Sequence, residues 1–477
     1  MNSLLRKKPF YEQIEFCGSI KAGSAEARDL HMILEYPEAK PGKISGKIIG
    51  LQSHFDEIAN VVNHRNPYCT LESKVDVNNP QVITSGNLVI SDLTTNSWYP
   101  GYTEHMLSSL GSFELYDLTI KHSFERQQSK PRKFTFYLAG PSTFWNIFRP
   151  IDFNEDNRLF YKEVEGHKME FDLDFPVKVE IKPDYLFYKP EESEKVVHET
   201  HVFTLTVKCE ENESVISSTE LVNKITEFVD DLIILVSFAS GSLIRWYIRE
   251  FRDFDSHTRF VRAETRSFVD MVRRHEMLVD PTQADSYVKT CLGNYRQLKS
   301  QNFSLFYPIL NFLAGCNSSF MEEGFTHYFF ALEKIKDLYA QKTSQEKILK
   351  EKEFKTLYLL LLNVITSSVT EEVKCNQIEN KIIELNRPPL RDVIELMFKE
   401  YEVPWQDLYP PDHPLSIINT RSKLFHSAEI LDVDKLGDET DRLKAIVARL
   451  ILKILGWNYI SHIPRKEVAD YLRTLKE

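Results

Sequence analysis

Near its C-terminus the chain reads Asn419-Thr420-Arg421-Ser422-Lys423-Leu424-Phe425-His426, an Arg-x4-His spacing inside a helical stretch. An imidazole exchanges protons near neutral pH, and a guanidinium grips a phosphate through a fixed fork of donors. Side by side they are enough equipment to cleave RNA without a metal. The spacing alone carries little weight. With 14 His in the chain, an Arg five positions upstream of one of them is expected by chance on the order of once. The sequence in fact holds a second, Arg252-Asp253-Phe254-Asp255-Ser256-His257.

Context separates the two. The second lies between Leu243-Ile244-Arg245-Trp246-Tyr247-Ile248 and Thr258-Arg259-Phe260-Val261-Arg262, runs rich in aromatic and β-branched residues, which marks it as a hairpin turn. The first follows a start signal, Asp412-His413-Pro414, and carries Leu415, Ile418 and Phe425 at helical spacing toward Leu431, as an amphipathic helix does. Arg421 and His426 are therefore the candidate pair. At ~100° per residue, Asn419, Ser422 and His426 form one polar stripe, while Arg421 lies ~140° round from His426. Arg421 must bend back across the face or meet a second subunit. The competing reading is a solvated face whose Arg pairs with a carboxylate or caps a neighbouring helix.

The elements that must position this pair change character along the chain. Up to about residue 210, short runs such as Ile44-Ser45-Gly46-Lys47-Ile48-Ile49, Lys133-Phe134-Thr135-Phe136-Tyr137-Leu138 and Val202-Phe203-Thr204-Leu205-Thr206-Val207 recur between Gly, Pro, Asn and Asp clusters. They predict an antiparallel β domain, sandwich-like or barrel-like, over residues 1–212, read as a sensing or binding module. Its aromatic segment Trp98-Tyr99-Pro100-Gly101-Tyr102 is a conceivable recognition loop, and a packed turn explains it as well.

Residues 213–311 read as a connector. Ser217-Ser218-Thr219-Glu220 is a capping box opening a helix with Leu221, Ile225, Phe228, Leu232 and Leu235 on one face, ended near Gly241. An Arg-rich hairpin follows. Its Arg245, Arg249, Arg259 and Arg262, interleaved with Trp246 and Phe260, are candidates to hold single-stranded RNA. Glu250, Asp253 and Asp255 compensate much of that charge, and alternating Arg and aromatic residues equally describe a half-buried hairpin. Residues 312–477 read as helices throughout, from Phe325–Leu338 to Lys466–Leu475, and a bundle is their natural assembly. The fold class expected is α+β multidomain.

Composition bounds the function. With 42% hydrophobic residues the chain has ample material for packed cores, and its formal charge of −11 argues against broad, sequence-blind nucleic-acid binding. The six Cys are far apart, with no Cys-x2-Cys, so no zinc site or disulfide framework is indicated and they read as buried free thiols. No cofactor or metal is expected. The N-terminus lacks the pattern of a secretory signal. The longest apolar runs, Leu232 to Ile244 and Leu357 to Ile365, are too short to span a bilayer and read as core helices. A cytoplasmic protein without membrane contact is the expectation.

A C-terminal helical region of this size, entered by the aromatic-rich Phe325-Thr326-His327-Tyr328-Phe329-Phe330-Ala331-Leu332-Glu333-Lys334 and carrying Arg421-Ser422-Lys423-Leu424-Phe425-His426 on a late helix, resembles a HEPN ribonuclease. Behind a β-rich N-terminal domain it is similar to the ApeA-like prokaryotic defence proteins. The resemblance implies a metal-independent endoribonuclease in which His426 is general acid or base and Arg421 holds the scissile phosphate. Ser422, standing where the family often has Asn, Asp or His, would orient either group, with Asn419 and Lys423 in support. It further implies a homodimer, a cellular RNA substrate such as tRNA, and a phage-derived trigger. Two alternatives stand beside it: an inactive HEPN protein that binds RNA or a partner, and a non-enzymatic ligand-binding scaffold.

Overall fold

Apolar-polar alternation builds the first part of the chain, and one extra pairing decides its shape. The computed structural model describes residues 10–22, 25–38, 41–51, 69–73, 81–94, 108–125, 132–139, 151–153, 159–161, 167–188, 197–209, 217–263, 277–409, 415–426 and 432–458. Strands β1 (Tyr11–Ala22), β2 (Ala25–Pro37), β3 (Ile44–Leu51), β4 (Cys69–Ser73), β5 (Gln81–Thr94) and β6 (Ser108–Leu115) run in the order β5-β4-β1-β2-β3-β6. Because β5 also pairs with β6, these six strands close into a barrel. Met32, Leu34, Ile48, Leu88 and Phe113 fill it. Gly46 permits the Phe113 ring to lie against β3: an added Cβ would sit 2.7 Å from the Ile33 carbonyl and strike the ring.

The barrel does not end the sheet. The first residues of β5 pair with β7 (Asp117–Ser123), and from there the order continues outward through later strands as β7-β15-β14-β8-β13-β12-β11. Those strands are β8 (Arg132–Ala139), β11 (His167–Asp172), β12 (Pro176–Tyr188), β13 (Val197–Cys209), β14 (Arg245–Arg252) and β15 (Ser256–Arg262), while β9 (Ile151–Phe153) and β10 (Leu159–Tyr161) form a separate pair. Of the two architectures the strand pattern allows, sandwich and barrel, the barrel forms, and it runs into an open antiparallel sheet. The physical reason is the double partnership of β5, which joins what would otherwise be two facing layers into one surface. Local alternation cannot reveal it.

The hairpin expected around Arg245 to Arg262 is in place as β14 and β15. In β14, Trp246 pairs with Leu138 and Ile248 with Tyr137, so Tyr247 is an inserted bulge residue. The bulge puts Trp246 and Arg249 on one face, while Tyr247 and Ile248 join the barrel core. Helix α1 (Ser218–Ser240) opens at the predicted cap, where the Ser217 hydroxyl accepts from the Glu220 amide at 3.2 Å. Its predicted face of Leu221, Ile225, Phe228, Leu232 and Leu235 is buried throughout, and Asp230 accepts from the Trp246 indole N–H at 2.7 Å.

The chain divides into two compact units, one of Met1–Ile233 with Ile244–Arg273 and one of Ile234–Leu243 with Arg274–Glu477. The second is helical: α2 (Ala284–Ser300), α3 (Phe306–Asn317), α4 (Met321–Thr343), α5 (Glu351–Ser368), α6 (Glu372–Glu384), α7 (Leu390–Glu400), α8 (Ile417–His426) and α9 (Val433–Ile454). Helix α4 buries Phe325, Phe329, Leu332 and Ile335 along one stripe, and α9 buries Leu443, Ile446, Val447 and Leu450, the periodicity their sequences predict. At Gly315 a Cβ would lie 2.6 Å from the Tyr328 ring, so glycine is what lets α3 cross α4 closely. The segments Trp98–Tyr102 and Lys466–Leu475 lie outside the described residues.

Two expectations are corrected. Leu357–Ile365 does not form a core helix, because no residue of α5 is buried and Leu360 and Val364 are 60% and 61% exposed. An apolar stripe specifies that something should cover a helix, not that the same chain does. Of the cysteines, all free, Cys69, Cys209, Cys291 and Cys316 are buried, but Cys17 is exposed and Cys375 half-buried. Among the described residues no helix is long and apolar enough to cross a membrane.

Candidate active site

Helix α8 is short, and its entry is anchored by buried and hydrogen-bonded residues. Leu415 takes a left-handed φ of 54° just before it, and Leu415 and Ile417 are buried. The Ser416 hydroxyl donates to Glu439 Oε1 at 2.6 Å, and Arg442 donates to the same oxygen at 2.7 Å. Both Glu439 and Arg442 are buried on α9. A buried ion pair therefore clamps the first residue before α8 to the long, packed helix α9.

One turn further on, the Arg421 guanidinium faces α4. Its Nη2 lies 3.6 Å from Glu333 Oε1, and its plane is 5.7 Å from each of the Phe329 and Phe425 rings. Phe425 in turn stacks on Phe330 at 6.3 Å. A guanidinium beside two aromatic faces and one carboxylate is held in orientation at small entropic cost. Arg421 also lines a cleft of about 560 Å³ between α4 and the start of α7. Lys334, Lys336 and Arg387 line it too, against the carboxylates of Glu333, Asp337 and Glu346, so the cleft carries a slight positive excess with a fixed arginine at its wall.

Of the residues picked from sequence, Asn419, Ser422 and Lys423 are exposed on α8 and Arg421 is half-buried. His426 is the last residue of α8; its side chain lies outside the described residues. Sequence reading missed Glu333, the carboxylate that Arg421 meets, and the Ser416-Glu439-Arg442 clamp. The one signal for Glu333 was its position four residues after Phe329, which places both on one face of α4.

The competing Arg252 and His257 sit on adjacent strands, directly opposite each other. Nε2 of His257 is 3.9 Å from Glu250. Burial pushes the Glu250 carboxyl up, but the His257 hydrogen bond and the Arg259 and His257 charges outweigh it and leave the group below its usual range. On the same hairpin, Arg249 donates to Thr226 Oγ1 at 2.7 Å and lies near Trp246 and Phe260. Arg259 is engaged by Glu12, Glu250 and the Glu38 carbonyl. Arg262 stacks 3.5 Å over Trp246, and with Arg245 it lines a pocket of about 240 Å³. Burial lowers the affinity of Arg249 and Arg262 for their protons, and like-charged neighbours add to it.

Among the described residues no group of three or more His, Cys, Asp or Glu is arranged to hold a metal ion. The chain matches no protein-family model, no curated protein and no solved structure.

Proposed function

We propose that the chain is an endoribonuclease of the HEPN type, acting on cellular RNA in prokaryotic defence against phage. The observation that carries the reading is Arg421, oriented at the wall of a cleft by Glu333, Phe329 and Phe425, on the same short helix as His426. In the reaction the ribose 2′ oxygen attacks the adjacent phosphorus and loses its proton to an imidazole. The P–O5′ bond breaks, the leaving oxygen takes a proton, and a 2′,3′-cyclic phosphate remains. A positioned acid or base supplies roughly 10²–10⁴-fold. Arg421 carries the charge that builds on the phosphoryl oxygens, and Ser422, with Asn419 and Lys423, orients imidazole or phosphate.

One imidazole does not easily serve both sides of the phosphorus, so a second copy of the chain belongs to this reading. The aliphatic surface of α5 and α6 supports it. Leu357, Leu360 and Val364 form an exposed stripe on α5, and Val373, Ile378, Ile383 and Leu385 on or beside α6 are exposed as well; together these seven expose the equivalent of nearly four whole residues. At ~25 cal/mol/Å² and ~2–3 kcal/mol per buried side chain, that is on the order of 400 Å² of apolar area. It approaches the apolar share of the ~800 Å² each partner buries in a stable interface.

A second reading is favoured by the Arg421–Glu333 ion pair, which competes with phosphate: an inactive protein that binds RNA or a partner. Expression of wild type, Arg421→Ala and His426→Ala in bacteria, with growth and RNA integrity followed during phage challenge, separates them. The nuclease reading requires fragments ending in 2′,3′-cyclic phosphate from the wild type alone. RNA left intact by all three, yet bound by the purified wild type, supports the second reading.

A further inference from the structure

The Arg252–His257 pair, set aside above, belongs to a larger arrangement in the first unit. Arg252 is directly opposite His257 on β15 and opposite Lys133 on β8, and His257 is opposite His122 on β7. Directly opposed residues of antiparallel strands point to the same side of a sheet. Lys133, Arg252, His257 and His122 therefore form one row across four neighbouring strands, about 14 Å long at the usual strand spacing.

The row lies where the sheet leaves the core. Inward along β7 on the same face, Ile120 and Leu118 are buried, whereas His122, Arg252 and Lys133 are exposed and His257 is half-buried. On the reverse face Phe134 and Phe251 stack at 4.3 Å, which fixes the backbone beneath. The carboxylate facing the row is Glu250. It is also 3.7 Å from Arg259, and it accepts from the Tyr137 hydroxyl. Among the described residues Lys133, Arg252 and His122 have no carboxylate partner. Arg252 does lie over the Phe124 ring at 5.9 Å.

Like charges directly opposed across strands destabilise a sheet, and here Lys133 opposes Arg252, with the His257 and His122 imidazoles continuing the row. Burial, and then the charge of His257, hold the His122 imidazole below its usual range, so the two rings sense each other. Two permanent cations, Lys133 and Arg252, without a carboxylate partner among the described residues and continued along the row by two imidazoles, match a ligand whose negative charges are themselves strung in a line. The line is longer than one phosphate, and the Phe124 ring beside Arg252 offers a base a stacking surface. We propose that this row binds single-stranded nucleic acid through successive backbone phosphates. The inference is independent of the nuclease reading.

The test is fluorescence anisotropy of a labelled 2′-O-methyl oligouridylate with the full chain across a salt series. The methyl group blocks attack by the 2′ oxygen, so cleavage elsewhere on the protein cannot mimic or mask binding. The double variant Lys133→Ala/Arg252→Ala is expected to bind at least about tenfold more weakly at low salt. Its slope of log affinity against log salt should fall by about 1.4, at ~0.7 per phosphate contact. Lys121→Ala, on the same β7 but the opposite face, should leave both unchanged. Removing opposed like charges should keep or raise the melting temperature of the double variant, which separates lost binding from lost folding. The proposal is overturned by an unbound oligomer, by an unchanged slope in the double variant, or by an equal loss in Lys121→Ala. It is equally overturned if tripolyphosphate competes as well as the oligomer, which would mark a site for a small polyanion.

Discussion

Arg442→Met should destabilise the helical unit far more than the loss of one surface ion pair would. Arg442 Nη1 and Glu439 Oε1 are 2.7 Å apart, with side chains only 8% and 10% exposed. At ~4 Å between charge centres and an effective dielectric of ~20, their attraction is about 4 kcal/mol. Removing one partner of such a buried pair costs about 3–5 kcal/mol, because the remaining charge stays desolvated. Ser416 still donates to Glu439, which places the expectation at the lower end. With a urea slope near ~3 kcal/mol/M, the midpoint should fall by about 1 M, read from helical circular dichroism at pH 7. The double variant Glu439→Gln/Arg442→Met leaves no charge behind and keeps an acceptor for Ser416, so it should recover at least half of the loss. If the double variant is as unstable as the single, the cost is packing rather than stranded charge, and the reasoning fails. Because Ser416 immediately precedes α8, the single variant should also weaken whatever Arg421 does, at temperatures where the unit is still folded.

The other expectations follow from the same logic of burial and charge. Arg449 is buried and meets Asp407 at 2.7 and 2.8 Å through two nitrogens, while Asp407 is half exposed. Asp407→Ala should cost about 2–3 kcal/mol in urea unfolding, and a loss below that of an average surface substitution would contradict the assignment. His122, held below its usual range by burial and by His257, binds fewer protons folded than unfolded near pH ~6.5. The stability it contributes is complete above that pH and lost as pH falls through it. The melting temperature of His122→Asn should therefore drop less than that of wild type between pH 7.5 and 5.5, and parallel curves would remove His122 from the account. Leu360→Glu/Val364→Glu should convert a dimer to a monomer in sedimentation without lowering the melting temperature of the helical unit. A wild type that sediments as a monomer at all concentrations would leave the α5–α6 surface without its assigned occupant.

Much of the architecture was legible from local pattern. The strand-rich first part, the capped α1 with its five-residue buried face, the hairpin at β14 and β15, and the aromatic stripe of α4 all follow from periodicities that a single segment satisfies by itself. Arg421 and His426 were legible as a spacing on one helix, and the structure places Arg421 on a cleft wall. The spacing did not reveal Glu333, since a carboxylate about ninety residues earlier becomes a neighbour only when α8 packs on α4. Nor did it reveal which exposed apolar helix face the chain leaves uncovered.

The amino-acid sequence by itself determined which segments become strands or helices and which face of each is apolar, because these depend on neighbours within a few residues. Tertiary structure alone decided that β5 joins two partners and closes a barrel, and that a bulge at Tyr247 turns Trp246 and Arg249 to the same side. It alone set Lys133, His122, Arg252 and His257 in one row. The reason is register: a one-residue shift in any of these pairings would send the side chains to opposite faces, and register is fixed by the packing of the whole sheet rather than by any strand within it.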